Sequence, residues 1–315
     1  MTPYRFQRAI QCVFLGICLI IGWRFSLFCS GAPVARPSGV EGFLPISALL
    51  GLKYLLTTGR YDPAHPAGLT IFLFAILTGL FLRRNFCAFI CPAGLVSNLL
   101  AGAGRKLGLA RRPPGLVNAL ACSVKYVLLF FFLITAFFGM SGAALKAFVL
   151  GSYNLTADAH LLRFFLDPSR TALTVLAVLA VLGLVVRNAW CRWLCPYGAL
   201  LGLLALTGIS RIERDANACA GCGRCRRVCP ADIAIDGKNA IRTPECVGCA
   251  RCVGSCAKEK ALAYAFLGRR VRWWFPGLAA LCLFLAMWLT AVATGHWDSG
   301  LDPAMLRALY ARTLG

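Results

Sequence analysis

The sequence predicts an α-helical polytopic membrane protein, with about five transmembrane helices plus a re-entrant helix, carrying a small cytoplasmic α+β two-cluster ferredoxin-like module. Three observations predict it. Of the 315 residues 59% are hydrophobic and 14% charged, with a mean hydropathy of +0.72, far from the balance of a soluble globular domain. Five apolar stretches reach or approach the length of about 17–25 residues that a membrane helix needs. Eight of the 17 cysteines fall at regular spacing within residues 219–256.

The five stretches are 9–29, 67–82, 116–138, 171–187 and 274–294. The second and fourth are short and are expected to extend into their flanks. A sixth stretch, 43–58, holds Pro45, Gly51 and Lys53 and reads as a re-entrant or interfacial helix. The first is long and followed by a weak cleavage site, so it reads as a retained helix, not a signal peptide.

The net charge of +21 could suggest nucleic acid, but its distribution points to the bilayer. Arg83, Arg84, Arg105, Lys106, Arg111 and Arg112 lie between the second and third stretches, with no acid among residues 83–114. Segments 30–66 and 139–170 mix bases with Glu41, Asp62, Asp158 and Asp167. By the positive-inside rule the first connection is cytoplasmic and the other two are outside. The expected location is a bacterial inner membrane, with the N-terminus and the cysteine-rich segment cytoplasmic and the tail 295–315 outside. No nucleic-acid partner is expected.

The cysteine-rich segment reads Cys219-Ala-Gly-Cys222-Gly-Arg-Cys225-Arg-Arg-Val-Cys229, then Cys246-Val-Gly-Cys249-Ala-Arg-Cys252-Val-Gly-Ser-Cys256. Both runs have the C-x2-C-x2-C-x3-C spacing in which three cysteines wrap one 4Fe-4S cubane and the fourth ligates the other. Cys219, Cys222, Cys225 and Cys256 are therefore expected to hold one cluster, and Cys246, Cys249, Cys252 and Cys229 the second. Zinc also uses C-x2-C pairs, but has no use for interleaving. Arg224, Arg226, Arg227, Arg251, Lys258 and Lys260 surround these thiols. They either oppose cluster charge, form a docking face, or are ordinary solvated bases.

A second pattern is duplicated in the membrane part. Cys87-Ala-Phe-Ile-Cys91-Pro92-Ala-Gly94 and Cys191-Arg-Trp-Leu-Cys195-Pro196-Tyr-Gly198 share C-x3-C-P-x-G, and Lys53-Tyr54 and Lys125-Tyr126 precede them in matching context. In an α-helix the spacing would put both sulfurs of a pair on one face. Together the four thiols could form a third metal centre; redox-active thiols and plain packing in a tight turn are the alternatives. Lys53 and Lys125 are intramembrane charges that could meet a quinone oxygen, balance a cluster or snorkel to an interface. Glu41 is either a proton acceptor for quinol or a solvated loop acid. His65, His160 and His296 read as loop histidines, and no haem-attachment motif is present.

On the two C-x3-C-P motifs and the two ferredoxin runs, the chain resembles the membrane-bound 4Fe-4S polyferredoxin family. That family includes NapH-type quinol-dehydrogenase subunits, the C-terminal part of NosR-type regulators and CcoG-type proteins. The segment Arg36-Pro-Ser-Gly-Val-Glu41-Gly-Phe-Leu-Pro45-Ile also looks like a stretch common in such proteins. The resemblance implies electron flow between the quinone pool or a membrane partner, two 4Fe-4S clusters and a redox partner protein or subunit. The expected domains are 1–210, a membrane domain with the internal repeat; 211–265, the ferredoxin-like module; and 266–315, a last helix and tail. Two other functions compete: copper reduction or delivery, or cofactor assembly, by the C-x3-C-P thiols, and redox-sensing regulation.

Overall fold

The structure is a computed structural model that describes residues 2–258 and 261–314, so Lys260 lies outside it. Among these residues the helices are α1 (Pro3–Cys29), α2 (Pro45–Thr58), α3 (Pro66–Leu82), α4 (Pro92–Lys106), α5 (Gly115–Phe137), α6 (Gly142–Val149) and α7 (Ser152–Leu155). They continue as α8 (Ala157–Leu166), α9 (Arg170–Val185), α10 (Pro196–Thr207), α11 (Arg224–Val228), α12 (Arg251–Gly254), α13 (Phe275–Ala293) and α14 (Pro303–Leu314). Proline opens α2, α4 and α10, where its missing N–H costs no helical bond. Helices α1, α5 and α13 are long and apolar enough to cross a membrane, and α8 with α9 makes a fourth crossing if the bent pair is one span. Their outward faces carry exposed apolar side chains such as Leu19, Val127, Phe130 and Leu289, as a lipid-facing helix requires.

The expected second and fourth spans do not extend into their flanks. Helix α3 has 17 residues and stops at Leu82, because Arg83 takes a φ of +62°. Helix α9 has 16 residues and follows a 76° bend from α8. Pro168 accounts for the bend, since it drives Asp167 out of helical backbone, to φ −133° and ψ 70°. Segments expected as an outer loop and a tail, 139–170 and 295–315, are largely helical, as α6, α7, α8 and α14.

The chain divides into two compact units, and α1, α3, α5, α9 and α13 contribute residues to both. One unit comprises residues 16–74, 130–176 and 284–315. Its interior is polar in the middle. Arg36 donates to Glu41 at 2.7 Å and to Asp158 at 2.7 Å, and Tyr310 donates to the same Asp158 oxygen at 2.7 Å. Glu41 is fully buried, so it is not the solvated loop acid of one sequence reading. His65 is also buried, Nδ1 3.7 Å from Glu41, unlike a loop histidine; His160 and His296 are exposed. Burial alone would lower the His65 pKa, but the Glu41 carboxylate raises it above its ordinary value. Lys53 Nζ donates to the carbonyls of Ala136, Phe137 and Met140, at 2.9, 3.1 and 2.6 Å. An ammonium has three donors, so Lys53 spends all of them closing the carbonyl end of α5.

The other unit comprises residues 1–15, 75–129 and 177–283. It contains the sheet, formed by β1 (Ser210–Arg214), β2 (Ala240–Ile241), β3 (Leu262–Phe266) and β4 (Arg269–Val271) in the order β2-β1-β3-β4, all antiparallel. Ile212 pairs with both Ile241 and Tyr264 across the strands. These three residues pack with Cys225, Cys229, Cys246 and Cys252 into one core. The sheet thus backs the cysteine loops on apolar side chains, and holds them without disulfides, since every described cysteine is free.

Candidate functional site

Each C-x3-C pair sits on a π-helical turn, Phe86–Ile90 or Trp190–Leu194, and not on an α-helix. The closing bonds run from Cys91 N to Phe86 O at 2.9 Å and from Cys195 N to Trp190 O at 3.0 Å. The cause is the proline that follows. It forces Cys91 and Cys195 into extended backbone, with ψ of 121° and 107°, so each turn ends there and each cysteine caps the next helix. A left-handed residue, Arg83 or Asn188, precedes each turn. The four thiols lie within electrostatic reach of one another, and the buried Arg84 guanidinium, which donates to the Cys191 carbonyl at 3.4 Å, lies within reach of Cys87, Cys191 and Cys195.

The glycine of each C-P-x-G has a steric reason. A Cβ on Gly94 would lie 2.3 Å from the Cys87 carbonyl oxygen, and one on Gly198 would lie 2.4 Å from the Arg84 guanidinium and 3.3 Å from the Cys191 carbonyl oxygen. Gly94→Ala therefore meets rigid backbone, whereas Gly198→Ala meets chiefly the end of a long side chain. Gly94→Ala is expected to destabilise the fold by roughly 1–3 kcal/mol, and Gly198→Ala by less. Thermal unfolding of the two variants in detergent checks the order.

The cysteines of residues 219–256 surround two cavities. Cys229, Cys246, Cys249 and Cys252 line the first, with Arg251 beside them. Cys219, Cys222, Cys225 and Cys256 line the second, with Arg224 and Lys258. Gly221, Gly223 and Gly248 sit at φ of +64°, +64° and +69°, which lets each loop turn its N–H groups inward. Ala250 takes the same backbone, φ +52°, where the first run has Gly223. Among the described residues no three cysteine, histidine or carboxylate groups converge as ligands of a single ion. A cubane is ligated at four separate iron corners, and two cavities each ringed by four thiols fit it. Burial pushes the Cys229 thiol up to about 12, so it ionises readily only when a cation shares its charge. Half-buried Cys219, beside the Gly221 N–H and Arg214, lies below the ordinary thiol value.

The first cavity is braced on the membrane repeat. Arg83 donates to the carbonyls of Thr243, Ser210 and Cys246, at 2.6, 3.1 and 3.5 Å. Arg187, at the matching place four residues before Cys191, donates to the carbonyls of Arg227 and Cys229, at 3.1 and 3.4 Å. Arg84 donates to the Pro244 carbonyl at 3.1 Å and lies 3.7 Å from Glu245. Lys125, fully buried, donates to Glu245 at 2.5 Å, and Glu245 directly precedes Cys246. A Cβ on Gly248 would lie 2.7 Å from the Leu82 carbonyl oxygen, so the second cysteine run presses against the end of α3.

Arg83 and Arg84, which in sequence belong to the basic connection 83–114, are 1% and 2% exposed and grip cysteine-loop carbonyls. Arg251, one of the bases expected around the thiols, is buried, which rules out the solvated reading for it. Glu245, Arg187, Gln7 and Gln11 went unremarked. Two signals could have found some of them: an arginine four residues before the first cysteine of both pairs, and two glutamines one turn apart in an apolar helix.

Comparison with known proteins adds an independent line. A family described as a 4Fe-4S binding domain matches residues 64–110 and 171–212, which contain both C-x3-C-P motifs. One described as a 4Fe-4S dicluster domain matches residues 211–265. The chain is 36% identical over 284 residues to YccM of Escherichia coli (strain K12), provisionally named as an electron transport protein, covering 88% of this chain and 79% of YccM. It is 28% identical to the methylamine utilization ferredoxin-type protein MauN of Methylorubrum extorquens, over 61% of this chain and 63% of MauN. It is 26% identical to the ferredoxin-type protein NapH of Escherichia coli (strain K12), over 59% and 61%. No solved structure matches.

Proposed function

Because this chain belongs to the family of membrane-associated ferredoxin-type 4Fe-4S electron-transport proteins, we propose that it relays electrons between the quinone pool, or a membrane partner, and a redox partner protein. The observation that carries this reading is the unequal setting of the two four-cysteine cavities. Cys229, Cys246, Cys249 and Cys252 are held against the membrane repeat by Arg83, Arg84 and Arg187. Cys222, in the other cavity, is exposed.

A 4Fe-4S cubane in each cavity supplies a centre that exchanges one electron at a time, within about −700 to +450 mV. Cys229, Cys246, Cys249 and Cys252 hold the proximal one and Cys219, Cys222, Cys225 and Cys256 the distal one. Cys87, Cys91, Cys191 and Cys195 form a third 4Fe-4S site, with Arg84 offsetting the negative charge of their thiolates. Arg224, Arg227 and Lys258, all exposed near the distal cavity, present positive charge to an acidic redox partner. Lys125 balances Glu245 beside Cys246, whereas Lys53 keeps no donor for a quinone oxygen. The chain lies in a bacterial inner membrane with the module on the cytoplasmic side.

Anaerobic mixing of the oxidised protein in nanodiscs with a soluble quinol analogue tests the relay. The expected result is bleaching of the visible iron-sulfur absorbance. No reaction with quinol or quinone at any poise, together with no partner that oxidises the reduced protein, overturns it.

A further inference from the structure

A buried hydrogen-bonded bridge runs from the proximal cavity to the π-turn between Cys87 and Cys91. Arg251, which lines that cavity between Cys249 and Cys252, donates from Nε to Gln7 Oε1 at 2.5 Å. Gln7 Nε2 donates to the Ala88 carbonyl at 2.6 Å, and Gln11 Nε2 donates to the same oxygen at 2.9 Å. Arginine only donates, so the Gln7 amide is locked with its oxygen toward Arg251 and its nitrogen toward Ala88. Gln7 and Gln11 are each 1% exposed, on a largely apolar helix. Two amides buried there would each cost free energy without these partners.

The far side of the arginine is the informative one. Among the described residues Arg251 Nη2 is buried with no hydrogen-bond partner. The guanidinium lies within electrostatic reach of Cys249 and stands 4.9 Å from the centroid of the Tyr4 ring, which gives the charge a face to rest on but no acceptor. A donor left over at a four-thiol cavity is placed for a thiolate or sulfide of whatever fills that cavity. Hydrogen bonds and positive charge at cluster sulfurs raise the reduction potential.

On the reading that the cavities hold 4Fe-4S clusters, we propose that Gln7 is a positioning residue that aims Arg251 at the proximal cluster and so raises its reduction potential above what its cysteines alone would set. The distal cavity lies outside this bridge, because neither Gln7 nor Arg251 lines it. The asymmetry makes the proposal testable within one molecule. It also gives the first turns of α1 a task beyond crossing the membrane.

The test is EPR-monitored redox titration of the full-length protein, anaerobically purified, as wild type, Gln7→Leu, Arg251→Met and the double variant. Gln7→Leu is expected to lower the equilibrium constant for proximal reduction roughly tenfold, about 59 mV for one electron, and to leave the distal midpoint unmoved. In the Arg251→Met background Gln7→Leu should add nothing, since its effect passes through that side chain. Gln7→Glu keeps the shape and neutralises Arg251, so it should also lower the proximal midpoint; it serves if Gln7→Leu does not fold. The proposal is overturned if Gln7→Leu leaves the proximal midpoint in place, moves both midpoints equally, or acts equally with and without Arg251. Absence of a second cluster signal in the wild type would instead remove the relay reading on which the proposal rests.

Discussion

Cys256→Ser removes the cluster of the first cysteine run and spares that of its own run. Cys256 follows Cys246, Cys249 and Cys252 in sequence, yet it lines the cavity of Cys219, Cys222 and Cys225. Cys229 crosses the other way. The short helices α11 and α12 each carry the third cysteine of a run and hand the fourth across to the opposite cavity. Loss of one thiolate ligand should therefore cost about four irons per chain from the distal site, and Cys229→Ser about four from the proximal site. Iron and acid-labile sulfide analysis, with EPR to identify the surviving signal, reads the outcome. In the Cys256→Ser protein the survivor should still respond to Arg251→Met. In the Cys229→Ser protein it should not. Loss of the two clusters in the reverse order would refute the interleaved assignment.

Glu245→Gln should destabilise the protein by roughly 3–5 kcal/mol, the usual cost of leaving one member of a buried pair without its partner. Lys125 is fully buried, and its side chain has the Glu245 carboxylate at 2.5 Å; Glu245 itself is 17% exposed, which places the cost toward the lower end. Arg84 loses the same carboxylate, at 3.7 Å. Replacing both members, as Lys125→Met with Glu245→Leu, should recover much of the loss, because no buried ammonium remains. Chemical unfolding in detergent, followed by the iron-sulfur absorbance, reports the three stabilities. A single variant as stable as the wild type would show that Lys125 keeps its charge solvated and that the pair is not the brace described.

The parts of this architecture that were legible in sequence are those with local periodicity. The apolar runs gave α1, α3, α5, α9 and α13, because a membrane helix must satisfy its own backbone and present apolar side chains throughout. The spacing of Cys219 to Cys256 gave the grouping of thiols about the two cavities, because a cubane dictates how few residues separate its ligands. Long-range polar partners were not legible. Arg83 and Arg84 looked like a basic loop, since nothing near them in sequence announces that the carbonyls of residues 243–246 lie opposite. Glu41 looked like a loop acid because Asp158, the second carboxylate that Arg36 holds beside it, lies more than a hundred residues further along the chain. The π-turns escaped because an i,i+4 cysteine pair suits an α-helix equally well. Only Pro92 and Pro196, acting on the residue before them, decide against it.

The most direct measurement is an iron and acid-labile sulfide count with potentiometric EPR on anaerobically purified protein, run beside a Cys87→Ser/Cys191→Ser variant. The expected result is about eight irons in two module clusters with separate midpoints, plus an excess that the double variant loses while the module spectra persist. Zinc in place of iron, fewer than about eight irons, or an excess that survives the double variant would contradict it.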